Sequence, residues 1–276
     1  MKVLCFNGNL GNQIFYCAFK DYLESKYPQQ KVYKYVMRSS PSVIVEDCFQ
    51  LNLPKSSFVV NAISSIIFSL EIILKKLFHI RLPKAFVCGR GDIQENAMFF
   101  SNYLQDKYYY EDLDSRWLQV RMPEKLTSEY LAYEKMIIAS DAICVHVRRG
   151  DYVNPGSAYE DLASTDYYKK AISMAKQKYP EGKLFFFSDD LDFTKEHFGD
   201  GDSVFVDCNK GKNSYLDIKL MSLAKVNIMA NSTFSYWGAY MEHERKLVIY
   251  PKSWFTEASG RQAPNIMLNR DNWIGI

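Results

Sequence analysis

The most chemically loaded segment of the sequence is His146-Val-Arg-Arg-Gly-Asp151, which directly continues the apolar run Ala142-Ile-Cys-Val-His-Val147. Two guanidinium groups and an imidazole at the end of a buried strand are costly unless an anion or a carboxylate pairs with them. The planar arginine fork fits a phosphate in bidentate fashion. Arg148 and Arg149 therefore suit a ligand carrying a diphosphate, with no metal needed. An internal ion pair, Arg149 with Asp151 or Asp190, accounts for the same residues and stays open. The embedded Arg-Gly-Asp tripeptide matches an adhesion motif, but it follows a buried strand rather than capping a loop tip, which sets that reading aside.

Three more clusters carry polar groups at comparable places. In Asn231-Ser-Thr-Phe-Ser-Tyr-Trp-Gly238, Ser232 or Thr233 can open a helix whose free N–H groups and positive dipole end favour a phosphate. Capping alone explains the same residues equally well. In Ser188-Asp189-Asp190 a carboxylate is placed to accept from a ribose or a guanine edge, or to cap a helix. Phe6-Asn-Gly-Asn-Leu-Gly-Asn-Gln13 holds part of a glycine fingerprint but lacks an acidic partner ~20 residues on. It brings backbone close to a ligand, with the Asn12 and Gln13 amides at a helix start. The triplets Asp112-Leu-Asp114 and Asp190-Leu-Asp192 raise a metal-held nucleotide, yet such triplets are common in acidic loops. The 4 histidines show no zinc-ligand spacing, so no metal site is expected.

These clusters need elements to hold them. Apolar runs of strand length at 142–147, 183–188, 203–208, 226–230 and 246–250 alternate with helical spacing at 167–178, 215–224 and 232–242. Strands apolar throughout, separated by amphipathic helices, predict a parallel sheet covered on both faces. Ligands in such sheets bind beyond the carboxyl ends of the strands, and that is where 146–151, 188–190, 207–209 and 231–233 fall. The N-terminal half predicts a strand at 2–6, a helix at 13–26, a strand at 31–37 and helices near 60–80 and 128–139. The greasy stretch 58–82 is broken by Glu71, Lys75 and Lys76, which favours a buried amphipathic helix over a membrane-surface helix with a basic end.

The whole chain has 276 residues, 47% hydrophobic and 15% aromatic, which is globular composition. With 34 Lys and Arg against 32 Asp and Glu, its net charge of +2 argues against nucleic-acid binding as its work. The 6 cysteines are scattered, without a CxxC pair, and read as free thiols of a reducing compartment. A cytoplasmic protein is expected, with contact to the membrane's inner face left open; oligomeric state is undetermined.

Taken in order, Gly8-Asn-Leu-Gly-Asn-Gln-Ile-Phe15, Tyr103-Leu-Gln-Asp-Lys-Tyr108, Val145 to Val153, Phe187-Ser-Asp-Asp190 and Asp217 to Ala239 resemble glycosyltransferase family 11, the bacterial α-1,2-fucosyltransferases. Departures are Gly-Asn-Leu for the usual Gly-Gly-Leu and Ser-Tyr-Trp for Ser-Trp-Trp, which bear on acceptor fit more than on chemistry. The resemblance implies an α/β protein of GT-B type, two Rossmann-like domains facing each other across a cleft. Those domains are expected at 1–140 (acceptor side) and 141–276 (GDP-fucose side), with the C-terminal tail free to pack back on the first. It further implies inverting transfer of L-fucose from GDP-β-L-fucose to the 2-hydroxyl of a galactose-terminated glycan, in O-antigen or capsule synthesis, with neither a metal nor another cofactor. His146, Arg148 and Arg149 would hold the diphosphate, Asp151 would orient an arginine, and Asp189 would meet guanine or ribose. Ser232, Thr233 and Phe234 would surround the pyrophosphate and fucose, and Asn12 would lie near the reaction centre. Arg148, Asn12 and Asp151 are thus the expected catalytic set. The rival readings are a transferase on the same scaffold using another nucleotide sugar, and a non-catalytic glycan- or nucleotide-binding protein.

Overall fold

The computed structural model describes residues 1–36, 43–89, 93–242 and 246–276, which form two compact units, Met1–Asp112 and Leu113–Ile276. Each unit is an α/β layer structure built on a parallel sheet, the class expected from the alternation of apolar strands and helices.

In the first unit the sheet runs β2 (Val32–Val36), β1 (Lys2–Phe6), β4 (Phe99–Phe100), β3 (Val87–Cys88), with every pairing parallel. Successive side chains of β1 point to opposite faces. Val3 and Cys5 pack with Val60 and Phe68 of helix α3 (Phe58–Phe78), while Phe6 stacks on Tyr16 of α1 (Leu10–Lys26) at 4.7 Å. The short helix α2 (Val45–Cys48) follows the second strand. The strand expected at 31–37 is seen as Val32–Val36, and its last residue, Met37, lies outside the described residues.

Helix α3 corrects the expectation of a buried helix. Only Val60, Ser64 and Phe68 are buried, and Phe58 and Ile66 are 88% and 69% exposed. The sheet it covers is narrow, and one face of a 21-residue helix is all that it can seal.

The second unit carries six parallel strands in the order β10 (Trp273–Gly275), β9 (Leu247–Tyr250), β8 (Val226–Ile228), β5 (Ile143–Val147), β6 (Leu184–Ser188), β7 (Val204–Phe205). Ile143, Val145 and Val147 face helix α5 (Tyr167–Lys178) in a core with Tyr168, Ala171 and Phe186. Cys144 and His146, of opposite parity, face the other side, toward α7 (Leu216–Ser222) and α8 (Thr233–Tyr240). Helix α4 (Ser128–Ile138) falls in this unit, where the Tyr133 hydroxyl donates to the Phe205 carbonyl (3.1 Å) and the Asp207 carboxylate (3.2 Å). The expected division at 140/141 therefore falls between α4 and β5, inside the second unit. The C-terminal residues, which were free to return to the first domain, instead add β10 beside β9, pairing Trp273 with Val248. The strand expected over 203–208 shrinks to the two residues that reach β6.

Candidate active site at the carboxyl edge of the second sheet

Numbered from the first strand of the second unit, the order is 3-2-1-4-5-6, and it reverses between β5 and β8. That reversal is where open parallel sheets take nucleotides. His146, Arg148 and Arg149 leave β5 on one side of it, and Asn231, Ser232 and Thr233 follow β8 on the other. Val147 pairs with Ser188, so Asp189 and Asp190 emerge from β6 at the same level as the arginines.

Contacts among these groups are dense. One nitrogen of the Arg148 fork donates to Asp151 at 2.7 Å and the other meets Asp189 at 3.0 Å, with the Tyr152 ring 5.6 Å away. Burial works against the Arg148 charge, but Asp189 and Asp151 more than offset it and hold the guanidinium more firmly protonated than usual. Asp189 also accepts the Arg149 backbone N–H at 2.9 Å, which ties the strand end to β6. A side chain at Gly150 would run into the Asp189 carboxylate and push it from its place beside Arg148. The Arg149 guanidinium lies 3.4 Å from the Phe193 ring centroid, with Asp190 at 3.3 Å and Asp161 at 3.6 Å. Helix α6 (Leu191–Phe198) begins beneath it, capped by Asp190, whose carboxylate accepts from the Phe193 N–H at 3.2 Å. Two guanidinium groups thus face four carboxylates, and the ion-pair reading of these arginines is realised. Asp189 is engaged by both arginines rather than standing free.

His146 is buried against Phe234 (ring centroids 5.7 Å apart), and its Nδ1 has no hydrogen-bond partner. Burial, reinforced by the Arg148 charge, holds its pKa down to about 3, so the imidazole is neutral at physiological pH. It can offer one N–H to a ligand but no positive charge. Ser232 caps α8 by accepting from the Phe234 N–H at 3.3 Å, and Thr233 is the first helical residue. Asn231 is buried and donates to the Glu160 and Trp254 carbonyls, so it fixes the loop and is inaccessible for glycosylation.

Asn12 stands in the first unit, at the first turn of α1, beyond the carboxyl end of β1. Gln105 donates to its side-chain oxygen at 2.8 Å. Gly8, at φ +76°, lies so close that a Cβ there would meet the Asn12 amide and the Tyr103 ring. Gln13 is buried and spent on the Val43 carbonyl and the Val45 N–H. Gln105 belongs to the Tyr103–Tyr108 motif, but its type and spacing do not single it out as the partner of Asn12; its neighbour Leu104, at φ +55°, adds a strained backbone there.

One carboxylate of each Asp-x-Asp triplet has other work. Asp114 holds Arg116 at 2.6 Å, which draws its pKa down to about 2, and Asp190 caps α6. Among the described residues no group of three or more His, Cys, Asp or Glu side chains is placed to hold a metal ion.

A sheet of nucleotide-binding topology with a basic pair at its switch point suits a ligand that carries a diphosphate. The profile of glycosyl transferase family 11 matches residues 91–276, and the chain belongs to that family. It is therefore a glycosyltransferase, with a nucleotide-sugar donor and a glycan acceptor. It is similar to the O-antigen biosynthesis glycosyltransferase WbnK of Escherichia coli, 28% identical with 99% of both chains covered. An alpha-1,2-colitosyltransferase of Escherichia coli is 27% identical over 90% of both chains. A galactoside 2-alpha-L-fucosyltransferase of Caenorhabditis elegans is 26% identical over 62% of this chain and 49% of its own.

Proposed function

We propose that this glycosyltransferase moves L-fucose from GDP-β-L-fucose to the 2-hydroxyl of a terminal galactoside, with inversion, in the cytoplasmic assembly of a surface glycan such as an O-antigen or capsule repeat. The observation that carries the reading is the pair of guanidinium groups, Arg148 and Arg149, at the switch point of the second sheet. The names of the O-antigen and galactoside 2-alpha-L-fucosyl relatives support the sugar, the linkage and the setting. The six cysteines, all free, support a reducing compartment.

In this mechanism the acceptor oxygen attacks the anomeric carbon while the bond to the β-phosphate oxygen breaks; GDP departs with the electron pair, and the hydroxyl proton passes to the departing diphosphate or to water. Charge grows on the diphosphate, where fixed guanidinium groups stabilise it most. Asp151 is 58% exposed while Asp189 is 27% exposed and also bound to the Arg149 N–H. Exchange of the Asp151 contact for a phosphate oxygen therefore costs least, with Asp189 remaining as the anchor that aims Arg148. His146 contributes a neutral N–H, Ser232 and Thr233 bring the α8 N-terminus, and Phe234 walls the sugar side. Asn12, at the first turn of α1, would orient an acceptor hydroxyl without acting as a base. The reading needs no divalent cation, because the guanidinium pair meets the leaving-group charge.

The colitosyltransferase relative supports a second reading, in which the same linkage is made from a colitose donor. The deciding assay offers GDP-fucose, GDP-colitose, GDP-mannose and UDP-galactose with a panel of β-galactosides, in the presence of a chelator, and assigns the product linkage by NMR. Transfer from GDP-fucose to give an α-1,2 bond is expected. Transfer from GDP-colitose alone would replace the fucose reading, and any linkage other than α-1,2 or a dependence on metal would overturn the mechanism.

A further inference from the structure

We propose that helix α3 is an interfacial anchor that lays this protein on an anionic lipid bilayer. It is long and apolar enough to cross a membrane by length and composition. It does not cross, because its inner face is built into the first unit. Phe68 stacks on Tyr35 at 5.4 Å and meets Phe99 edge-on at 5.9 Å, and Val60 joins them in the core. The helix lies along the sheet with its other face outward.

That outer face has the chemistry of a lipid contact. At roughly 100° per residue, the exposed apolar side chains run from Ile72 and Phe58 through Ile66 and Ile73 to Ile63, about half the circumference. The polar groups that interrupt that arc, Ser65, Ser69 and Lys76, lie together on one flank. A stripe meant for one partner helix is narrower. Phe58 and Phe78, 88% and 61% exposed, mark the two ends.

Charge identifies the partner. Residues 55–84 hold Lys55, Lys75, Lys76, Arg81 and Lys84 against the single acid Glu71, in a chain whose total is only +2. All five cations are exposed, whereas Glu71 is half-buried and its carboxylate accepts the Leu82 N–H at 2.8 Å. The segment thus carries +4 and the rest of the chain −2. A second copy of the chain would bring like charge against like, while anionic headgroups complement it. An apolar face with basic residues at its edge is the arrangement that settles into the headgroup boundary.

The test is flotation of the full-length protein with vesicles of pure phosphatidylcholine and of phosphatidylcholine containing about one third phosphatidylglycerol. The wild type should float with the mixed vesicles at low salt, and less as salt rises. Ile66→Asp with Ile73→Asp should lower the bound fraction ~10-fold or more. Lys75→Glu with Lys76→Glu should bring binding to mixed vesicles down to the phosphatidylcholine level. Both pairs alter exposed positions, and an unchanged melting midpoint confirms that the fold is intact. A wild type that stays with the lipid-free fraction, or an Ile66/Ile73 variant that floats as well as the wild type, would overturn the proposal. So would a dimer of the wild type that Ile66→Asp with Ile73→Asp dissolves without any vesicle binding, since the face would then belong to a second copy. No sugar substrate enters the assay, so its outcome is independent of the transfer reaction.

Discussion

Both units present functional residues beyond the carboxyl ends of parallel strands, yet the two edges are chemically opposite. Past β5 and β6 stand Arg148, Arg149, Asp151, Asp189 and Asp190, interlocked at 2.7–3.3 Å. Past β1 stand neutral amides and phenols, with Gln105 on Asn12 at 2.8 Å and Tyr16 on Asn7 at 3.0 Å. Ionic groups suit the half of a transfer reaction that must absorb charge, because preorganised cations act most strongly where charge develops. Neutral amides suit the half that must orient hydroxyl groups, because they bind without imposing a field. Under the proposed function, the charged edge is the one assigned to the donor and the neutral edge the one assigned to the acceptor.

The sharpest way to break that contrast is Arg148→Ala. Removal of one preorganised donor costs ~100- to 1000-fold in turnover, and here Asp151 would also lose its guanidinium partner while Asp189 kept only the Arg149 N–H. Steady-state rates at saturating GDP-fucose should show a loss of that size, and a normal turnover number would refute the leaving-group role. Arg149→Lys tests the shape of the charge rather than its presence. Lysine keeps the cation but loses the planar fork and the contact with the Phe193 ring, so a smaller loss of ~10- to 100-fold is expected. An Arg149→Lys variant as fast as the wild type would mean that only a point charge is needed.

The same contrast explains what the sequence reveals. In the second unit each strand is apolar throughout and ends in a polar cluster, so β5, β6 and their arginines and aspartates are readable, and α5 appears at 167–178 as its spacing predicts. In the first unit β3 and β4 have two residues each, too few to show a period. Helix α3 misleads because apolarity records the wish to leave water, not the neighbour that will supply the shelter. Gln105 escapes because its partner Asn12 is 93 residues away and neither residue is charged. The ion pairing of Arg149 with Asp190 was readable as one of two alternatives, but the sharing of Asp189 between both arginines depends on the register of β5 against β6.

Gln105→Ala probes the neutral edge. It removes a donor from the Asn12 side-chain oxygen, and a neutral hydrogen bond of this kind contributes about 1 kcal/mol. Turnover should fall ~10-fold or less, with the KM for GDP-fucose unchanged. A raised donor KM would instead tie the first unit to the nucleotide and erase the distinction between the edges.

The smallest effect is a pH response within the second unit. Burial holds His146 down to about 3 from an ordinary 6.5, and pushes Asp217 up to about 7 from 3.8 against its Asn209 hydrogen bond. As pH falls below 6.5 the unfolded chain takes up the histidine proton first, so His146 withdraws stability on acidification. As pH rises above 3.8 the unfolded chain releases the aspartate proton first, so Asp217 withdraws stability on alkalinisation toward 7. Each slope is at most ~1.4 kcal/mol per pH unit, and between roughly pH 4 and 6.5 the two oppose each other. Lys246, lowered to about 7 by burial, acts only above that window. Urea titrations across it should show His146→Gln gaining stability on acidification relative to the wild type and Asp217→Asn losing it, each by ~1 kcal/mol per pH unit. Parallel slopes for wild type and both variants would mean that neither group is buried as the second unit requires.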